Sequence, residues 1–462
     1  MRSFLRQLLF KTGAFGTTRP RISAASPLRT MSTSSTAALL YAATIATPSL
    51  AATRPEDEIT KAKAWHSKNG GFENPWPSWQ MLSVFQIITG LLGRRLSGKG
   101  NTPDTTPPTV PVHAPQFLSE RTGNGSLRAT WLGHACYYAE FPSGLRVLFD
   151  PVFTPRCSPF SWLGPKRYTE MPCQIKDIPI IDAVIISHNH YDHLSHPTIM
   201  EIARLHPECH FFVPLGNKKW FQACGIEKCT ELDWWEEVDF TLTPSSSSSS
   251  SSSGPEKKEV DSSSSEQTTS TSTRVTEPVG EHPNNSSSAA GSESITARIA
   301  CLPCQHISAR SIHDRARTLW ASWSVKSGDK SLYFAGDTGY RTVPKESEGK
   351  DDWGQEYASL PCCPAFKDIG RLRGPFDLGL IPIGAYMPRW IMSPMHANPR
   401  DAVEIFRDTK CKQALGMHWG TWVLTEEDVL EPPRLLRKAL AHHGLPETGV
   451  FDVCDIGDSR EF

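Results

Sequence analysis

Six residues, His188-Asn189-His190-Tyr191-Asp192-His193, bring three imidazoles and a carboxylate together. Neutral imidazole and carboxylate are ligands for divalent metals. Alternate positions of an extended segment point the same way, so His188 and His190 can share one ion. Asp192 and His193 come round on the following turn and reach a second position. The apolar run Ala183 to Ile186 precedes the cluster directly and reads as the strand that delivers it. The competing reading is a polar loop with surface histidines, and a match this dense disfavours it.

Six residues cannot close a two-metal site, so further ligands must come from elsewhere. His306 follows the strand ending at Cys301-Leu302-Pro303. Asp337 lies in Phe334-Ala335-Gly336-Asp337-Thr338-Gly339, just past another strand. His418 lies in Gly416-Met417-His418-Trp419-Gly420-Thr421, again after an apolar run. Each alone reads as a turn or surface group. In this order they form a set in which three histidines hold one ion, an aspartate and two histidines hold another, and a carboxylate bridges both.

Other clusters have plainer readings. Cys301 and Cys304 have redox or zinc-knuckle spacing but lie on a strand with no second pair, so they read as packing. Cys362-Cys363 reads as structural, Gly123-Asn124-Gly125 as a turn, and His442-His443 as a pair at a helix end.

The elements that carry these residues are mixed. Short apolar runs at Ala129 to Leu132, Tyr137 to Phe141, Arg146 to Phe149, Ala183 to Ile186, His210 to Val213, Ile295 to Leu302, Trp320 to Val325 and Leu332 to Ala335 read as strands. Thr198 to Leu205, Arg400 to Phe406 and Pro433 to Ala441 read as helices. Periodicity alone therefore predicts mixed α/β. Nine consecutive serines open at Ser245, and residues 244–291 are Ser, Thr, Glu and Pro with almost no apolar content. Such a segment cannot bury enough surface to order itself. Strands resume beyond it, so it interrupts one domain rather than separating two.

The chain has 462 residues, 48 Lys and Arg against 49 Asp and Glu, and a net charge of -1. Apolar residues at 38% exclude a wholly disordered chain. The charge balance gives no support to a nucleic-acid partner, and no clean run of apolar residues suits a multi-span membrane protein. The 12 cysteines are scattered and read mostly as reduced thiols.

Residues 1–54 are rich in Arg and Ser and free of acid, the composition of a mitochondrial targeting segment. Ala37 to Ala52 is soft and apolar, so a membrane anchor and a second processing region both stay open. Residues 55–122 form a lead segment. In it Met81, Leu82, Val84, Phe85, Ile87, Ile88, Leu91 and Leu92 make a helical apolar face ending at Gly93-Arg94-Arg95. That helix suits a bilayer interface, with Trp76 and Trp79 at headgroup level, and suits core packing equally. Asn101 to Pro115 reads as an extended linker.

The ligand order resembles the metallo-β-lactamase superfamily. Phe72-Glu73-Asn74-Pro75-Trp76-Pro77, Trp131-Leu132-Gly133-His134-Ala135, Ile381 to Tyr386 with Pro388-Arg389-Trp390, and His418 to Thr421 with Glu431-Pro432-Pro433 resemble the N-acylphosphatidylethanolamine-hydrolysing phospholipase D family. The similarity runs from about Phe72 to Ala441 outside the Ser-rich stretch. Met387 and Met395 depart from it and bear on lipid-chain preference.

The resemblance implies a four-layer αβ/βα sandwich in residues 123–462 with a dinuclear metal site at the sheet edge. It implies metal ligation by His188, His190, Asp192, His193, His306, Asp337 and His418, with Asp337 bridging. The cofactors implied are two Zn2+, another divalent metal being open at one site. Tyr191 and His396 match substrate-binding positions, and Asp192, Asp337 and His396 would be catalytic. Asp192 and His396 both remain candidates for protonating the leaving group, and a helix-start role is the plainer reading of His396. The activity implied is hydrolysis of N-acylphosphatidylethanolamine to N-acylethanolamine and phosphatidic acid at a membrane surface, here at the mitochondrial inner membrane. A homodimer is left open. The rivals are another hydrolase of this fold, acting on a lactone, cyclic nucleotide or RNA, and a non-catalytic lipid-binding protein.

Overall fold

The structure, a computed structural model, describes residues 41–121, 125–244, 294–311 and 313–462. The first 40 residues of the targeting segment, the Gly123-Asn124 turn and nearly all of the Ser-rich stretch lie outside them. Sixteen strands run in chain order among the described residues: β1 (Tyr41–Ile45), β2 (Ser49–Leu50), β3 (Arg128–Trp131), β4 (Tyr137–Glu140), β5 (Arg146–Phe149), β6 (Ala183–Ile185), β7 (His210–Pro214), β8 (Cys229–Leu232), β9 (Glu236–Pro244), β10 (Ile295–Leu302), β11 (Ser322–Ser327), β12 (Lys330–Phe334), β13 (Phe376–Pro382), β14 (Cys411–Met417), β15 (Phe451–Asp452) and β16 (Ser459–Glu461). One sheet has the order β1-β9-β10-β11-β12-β13-β14-β15, with β2 also on β9. The other has the order β16-β3-β4-β5-β6-β7-β8.

Period-2 patterning stacks these sheets. From the second sheet, Tyr137, Val147, Phe149, Ile185 and Phe212 face Trp323, Val325 and Phe334 of the first in one buried core. Their neighbours Tyr138, Leu148, Val184 and Phe211 face the other way, onto Ile199, Ile202 and Phe221. Those residues belong to the helices His196–Leu205 and Lys218–Ala223. The helices Ala365–Leu372, Pro399–Thr409 and Glu431–His442 cover the outer face of the first sheet through Phe366, Ile369, Val403, Ile405 and Leu440. The result is the expected αβ/βα sandwich. β9 and β10 are antiparallel neighbours, so the Ser-rich stretch lies in sequence between two paired strands.

The lead region departs from its sequence reading. An anchor within Ala37 to Ala52 is not what the described part of that segment forms: β1 pairs with β9 from Tyr41↔Pro244 to Ile45↔Phe240, and β2 pairs with the start of β9. Ala51 is buried. The alternating burial of β1 is that of an edge strand, whose backbone groups β9 satisfies. Residues 41–45 and 49–50 of that segment are therefore strands of the sheet. Trp76 is not at a headgroup level either: it stacks on Trp234 at 5.4 Å inside the core. The Asn101 to Pro115 linker is tied down where the His113 N–H donates to the Ile456 carbonyl and the Ile456 N–H to that of Pro111.

The apolar helix spans Val84–Leu96, starts at a Ser83–Gln86 capping box, and leaves Phe85, Ile88, Leu91, Leu92 and Leu96 exposed. Its core-packing reading fails for this face. Its other side is held: Arg94 pairs with Glu348 and Glu426, and Gly90 lies so close to Trp390 that a Cβ would collide with the indole.

A chain begun at Pro55 would leave the β9 edge bare. It should unfold at a lower temperature than one begun at Leu40, by on the order of 5 °C. Equal thermal midpoints would show that β1 and β2 add nothing to the fold.

Candidate active site

The predicted ligands come from different strands but meet at one edge of the sandwich. β6 ends two residues before Ser187 and feeds the turn that carries His188 to His193. His306 follows β10, Asp337 follows β12 and His418 follows β14. Glycines make the approach close: a Cβ on Gly336 would strike the Ser187 side chain and the Ala321 carbonyl, so the turn before Asp337 accepts no larger residue.

Two groups of ring nitrogens result. His188 Nε2 lies 2.7 Å from His190 Nδ1, and His306 Nε2 lies 3.3 Å from the same atom. His193 Nε2 and His418 Nε2 each lie 3.4 Å from Asp192 Oδ2. Asp337 Oδ2 sits between the groups, 2.9 Å from His418 Nε2, 3.2 Å from His193 Nε2, 3.8 Å from His306 Nε2 and 3.9 Å from His188 Nε2. His396 Nδ1 is 3.9 Å from the same oxygen, so His396 faces this centre rather than serving only as the start of a helix. Asn398 caps that helix instead.

The donor set fits divalent metal. Among the described residues, Asp150, Asp192 and Asp337 find only histidines as ion-pair partners. His193 Nε2, His418 Nε2 and Asp337 Oδ1 are buried with no hydrogen-bond partner. Buried polar atoms left in this way are costly unless a cation takes them up. Burial holds His188, His190 and His306 below the usual imidazole range, which keeps their lone pairs free. Burial opposes charge on His193 and His418 too, but Asp337 and Asp192 overcome it: His193 is raised and His418 is carried up to about 9. Against the same burial, His193 holds the Asp192 and Asp337 carboxyls well below their ordinary value.

Outer contacts orient the rings. His193 Nδ1 meets Asp150 Oδ2 at 2.6 Å, His306 Nδ1 meets the Met395 carbonyl at 2.9 Å, and His188 Nδ1 meets Ser187 Oγ at 2.9 Å. Each turns Nε2 toward the centre. Sequence reasoning missed Asp150, although it has the signal that exposed Asp337, a carboxylate just after an apolar strand. It also quoted His134 only within a motif, yet His134 Nε2 is 3.0 Å from Asp192 Oδ2.

The other quoted motifs brace the site. Asn74 donates to the His306 carbonyl, and Ser78 to Gln305. Arg389 pairs with Asp352 and Asp401, and the half-buried Glu427 accepts N–H bonds from Ala385, Tyr386 and Met387. Tyr191 is half-buried beneath Arg310, whose guanidinium lies 4.0 Å from its ring centroid. Cys301 and Cys304 are free and buried in the core.

Asp150→Asn should weaken metal retention about 10- to 100-fold through the His193 ring, with the fold kept. Chelator competition followed by elemental analysis reads this out, and wild-type retention would count against the role of Asp150.

A family model described as "Beta-lactamase superfamily domain" matches residues 145–279 and 271–419. N-acyl-phosphatidylethanolamine-hydrolyzing phospholipase D 1 of Caenorhabditis elegans is 32% identical over 409 residues, covering 84% of this chain and 92% of the relative. The mitochondrial N-acyl-phosphatidylethanolamine-hydrolyzing phospholipase D of Saccharomyces cerevisiae is 30% identical over 349 residues, 74% of this chain and 57% of the relative. Among solved structures, isothiocyanate hydrolase from Delia radicum gut bacteria superposes with a TM-score of 0.43 at 14% identity, covering 72% of this chain and 99% of that one. The chain is a metal-dependent phosphodiester hydrolase and belongs to the N-acyl-phosphatidylethanolamine-hydrolysing phospholipase D family of the β-lactamase superfamily.

Proposed function

We propose that the site holds two zinc ions and hydrolyses N-acylphosphatidylethanolamine to N-acylethanolamine and phosphatidic acid. The observation that carries this reading is the placement of Asp337 Oδ2 within 4 Å of nitrogens from both histidine groups, as a carboxylate shared by two ions requires. His188, His190 and His306 would hold one ion and Asp192, His193 and His418 the other, with Asp337 common to both. Bound zinc supplies Lewis acidity and a hydroxide source at neutral pH.

The chain's own groups do the rest. Water gains the phosphorus, the ester oxygen of the N-acylethanolamine leaves, and that oxygen takes up one proton. His396 and Asp192 are the groups placed to pass it. Burial holds His396 down to about 4, so its ring is neutral at pH 7 and still offers one N–H. Tyr191 and His396 would contact the phospholipid head region, as the family resemblance implies.

A lipid substrate accounts for the bare apolar surface. The helix Val84–Leu96 is one element of it, and the tip formed by Phe160, Trp162 and Leu163 is another. Both are attached to the segment leaving His418: Trp422 packs with Val152 and Cys157 at the base of the tip, and Glu426 pairs with Arg94 of the helix. A bilayer docked on either element would lie against parts attached to the segment that leaves His418. Among the described residues no helix is long and apolar enough to cross a membrane, so the reading is docking on a surface. The acid-free, Arg- and Ser-rich first residues and the name of the yeast relative support placing that surface in the mitochondrion; the inner membrane is the surface we propose.

Incubation of the chain from Leu40 with zinc and vesicles containing N-acylphosphatidylethanolamine should yield N-acylethanolamine and phosphatidic acid by mass spectrometry. Asp337→Asn should lower that rate by at least about 1,000-fold. No product from protein holding two ions would overturn the substrate. Phe85→Asp with Leu92→Asp should weaken vesicle co-sedimentation by about 10-fold or more while leaving hydrolysis of a dispersed short-chain substrate unchanged. Unchanged sedimentation would remove the helix from the docking surface.

A further inference from the structure

His134 lies outside the histidine cluster, on the turn after β3, yet it grips two residues of one metal group at once. Its ring Nε2 is 3.0 Å from Asp192 Oδ2. Its backbone carbonyl accepts the N–H of His418 at 2.9 Å and the indole N–H of Trp131 at 2.9 Å. Its own N–H donates to Thr421 Oγ1 at 2.7 Å. The ring lies with its centroid 4.0 Å from that of His418 and meets Trp422 edge-on at 4.8 Å. It is 3% exposed and sits at φ 51°. A non-glycine residue held in the left-handed region by four separate bonds is over-determined by its surroundings, which marks a place where geometry matters.

We propose that His134 is a positioning residue for the ion held by Asp192, His193 and His418. Its ring N–H fixes the Asp192 carboxylate, and its carbonyl fixes the backbone of His418. Asp192 needs such a restraint, because it is the most solvent-exposed member of its group. An aspartate free to rotate spends part of its time away from the metal, and affinity falls in proportion. His188 and His306 have their own supports in Ser187 and Met395, and His134 has no hydrogen bond to either ring or to His190, so the other ion does not depend on His134. The inference rests on the two-metal reading of the site and goes beyond it by assigning unequal support to the two ions.

Three variants separate the contributions. His134→Gln keeps an N–H donor at about the reach of Nε2. His134→Phe keeps the ring stacking and loses the donor. His134→Ala loses both. All three meet the same positive φ as the histidine. Each is loaded with zinc, and the metal-to-protein ratio is followed by elemental analysis under graded chelator. Cobalt-substituted protein reports the coordination of each ion by its absorption spectrum. Circular dichroism and thermal unfolding of the metal-stripped proteins check the fold.

The expected result is that His134→Phe and His134→Ala lose one ion about 10 to 100 times more readily, keep the other at wild-type affinity, and show an altered spectrum for the weakened ion only, while His134→Gln stays within about threefold of wild type. Wild-type retention of both ions in His134→Phe, equal weakening of both, or a His134→Gln protein no better than His134→Phe would overturn the proposal. No lipid is needed, so a wrong substrate assignment leaves the test intact. A wild-type chain holding a single ion would overturn the two-metal reading instead. Loss of that ion in His134→Phe with rescue in His134→Gln would then still support the role of His134, and its retention would overturn it.

Discussion

Three carboxylates whose ion-pair partners among the described residues are all imidazoles are the constraint around which this chain is arranged. Asp150, Asp192 and Asp337 lie within 4 Å of ring nitrogens of His134, His188, His193, His306, His396 and His418. Removing such charges from water costs several kcal/mol per ion unless opposite charge and hydrogen bonds compensate. Two divalent cations would supply that charge at the one point where all the groups converge. Asp337 and Asp192 favour positive charge on His193 and His418 against the burial that opposes it. The site and the fold are thus parts of one electrostatic problem.

The sandwich solves the positioning half of that problem. Ligands at the ends of β6, β10, β12 and β14 inherit the spacing of hydrogen-bonded strands, a more rigid frame than a loop alone can provide. The core between the sheets, dense in Trp and Phe, fixes the strands. Parallel pairing of β12, β13 and β14 brings Asp337 and His418 to the same edge, although the segment between them holds three α-helices and two 3-10 turns. The lead segment contributes from outside: Asn74 and Ser78 hold the His306 loop, which gives the Phe72 to Pro77 motif a structural reason for its sequence.

The block from Ile381 to Trp390 belongs to the same support. Arg389 is clamped by Asp352 and Asp401, and Glu427 gathers three successive backbone N–H groups. Glu427 follows Glu426, which binds Arg94 of the exposed helix. One short segment therefore links the candidate ligand His418, the Ile381 to Trp390 block and the exposed apolar helix.

The sequence alone determined most of the centre. The hexapeptide, the strand before it and three strand-end residues at His306, Asp337 and His418 could be read because their signals are local: residue type, and position after an apolar run. The mixed α/β character was legible for the same reason, since side-chain alternation is a property of each strand by itself. What only the tertiary structure decided is where separate segments meet. Asp150 and His134 were visible as residues, but their roles depend on contacts with His193 and Asp192 across strands that no spacing rule pairs. The segment from Tyr41 to Ala51 looked like a soft apolar tail because an edge strand shows its purpose only beside its partner, here β9. Trp76 and the helix after it had the same apolar content, and the fold buried the one and left the face of the other bare. Hydrophobicity states that a residue gains by leaving water; which surface receives it is set by the whole arrangement of the chain.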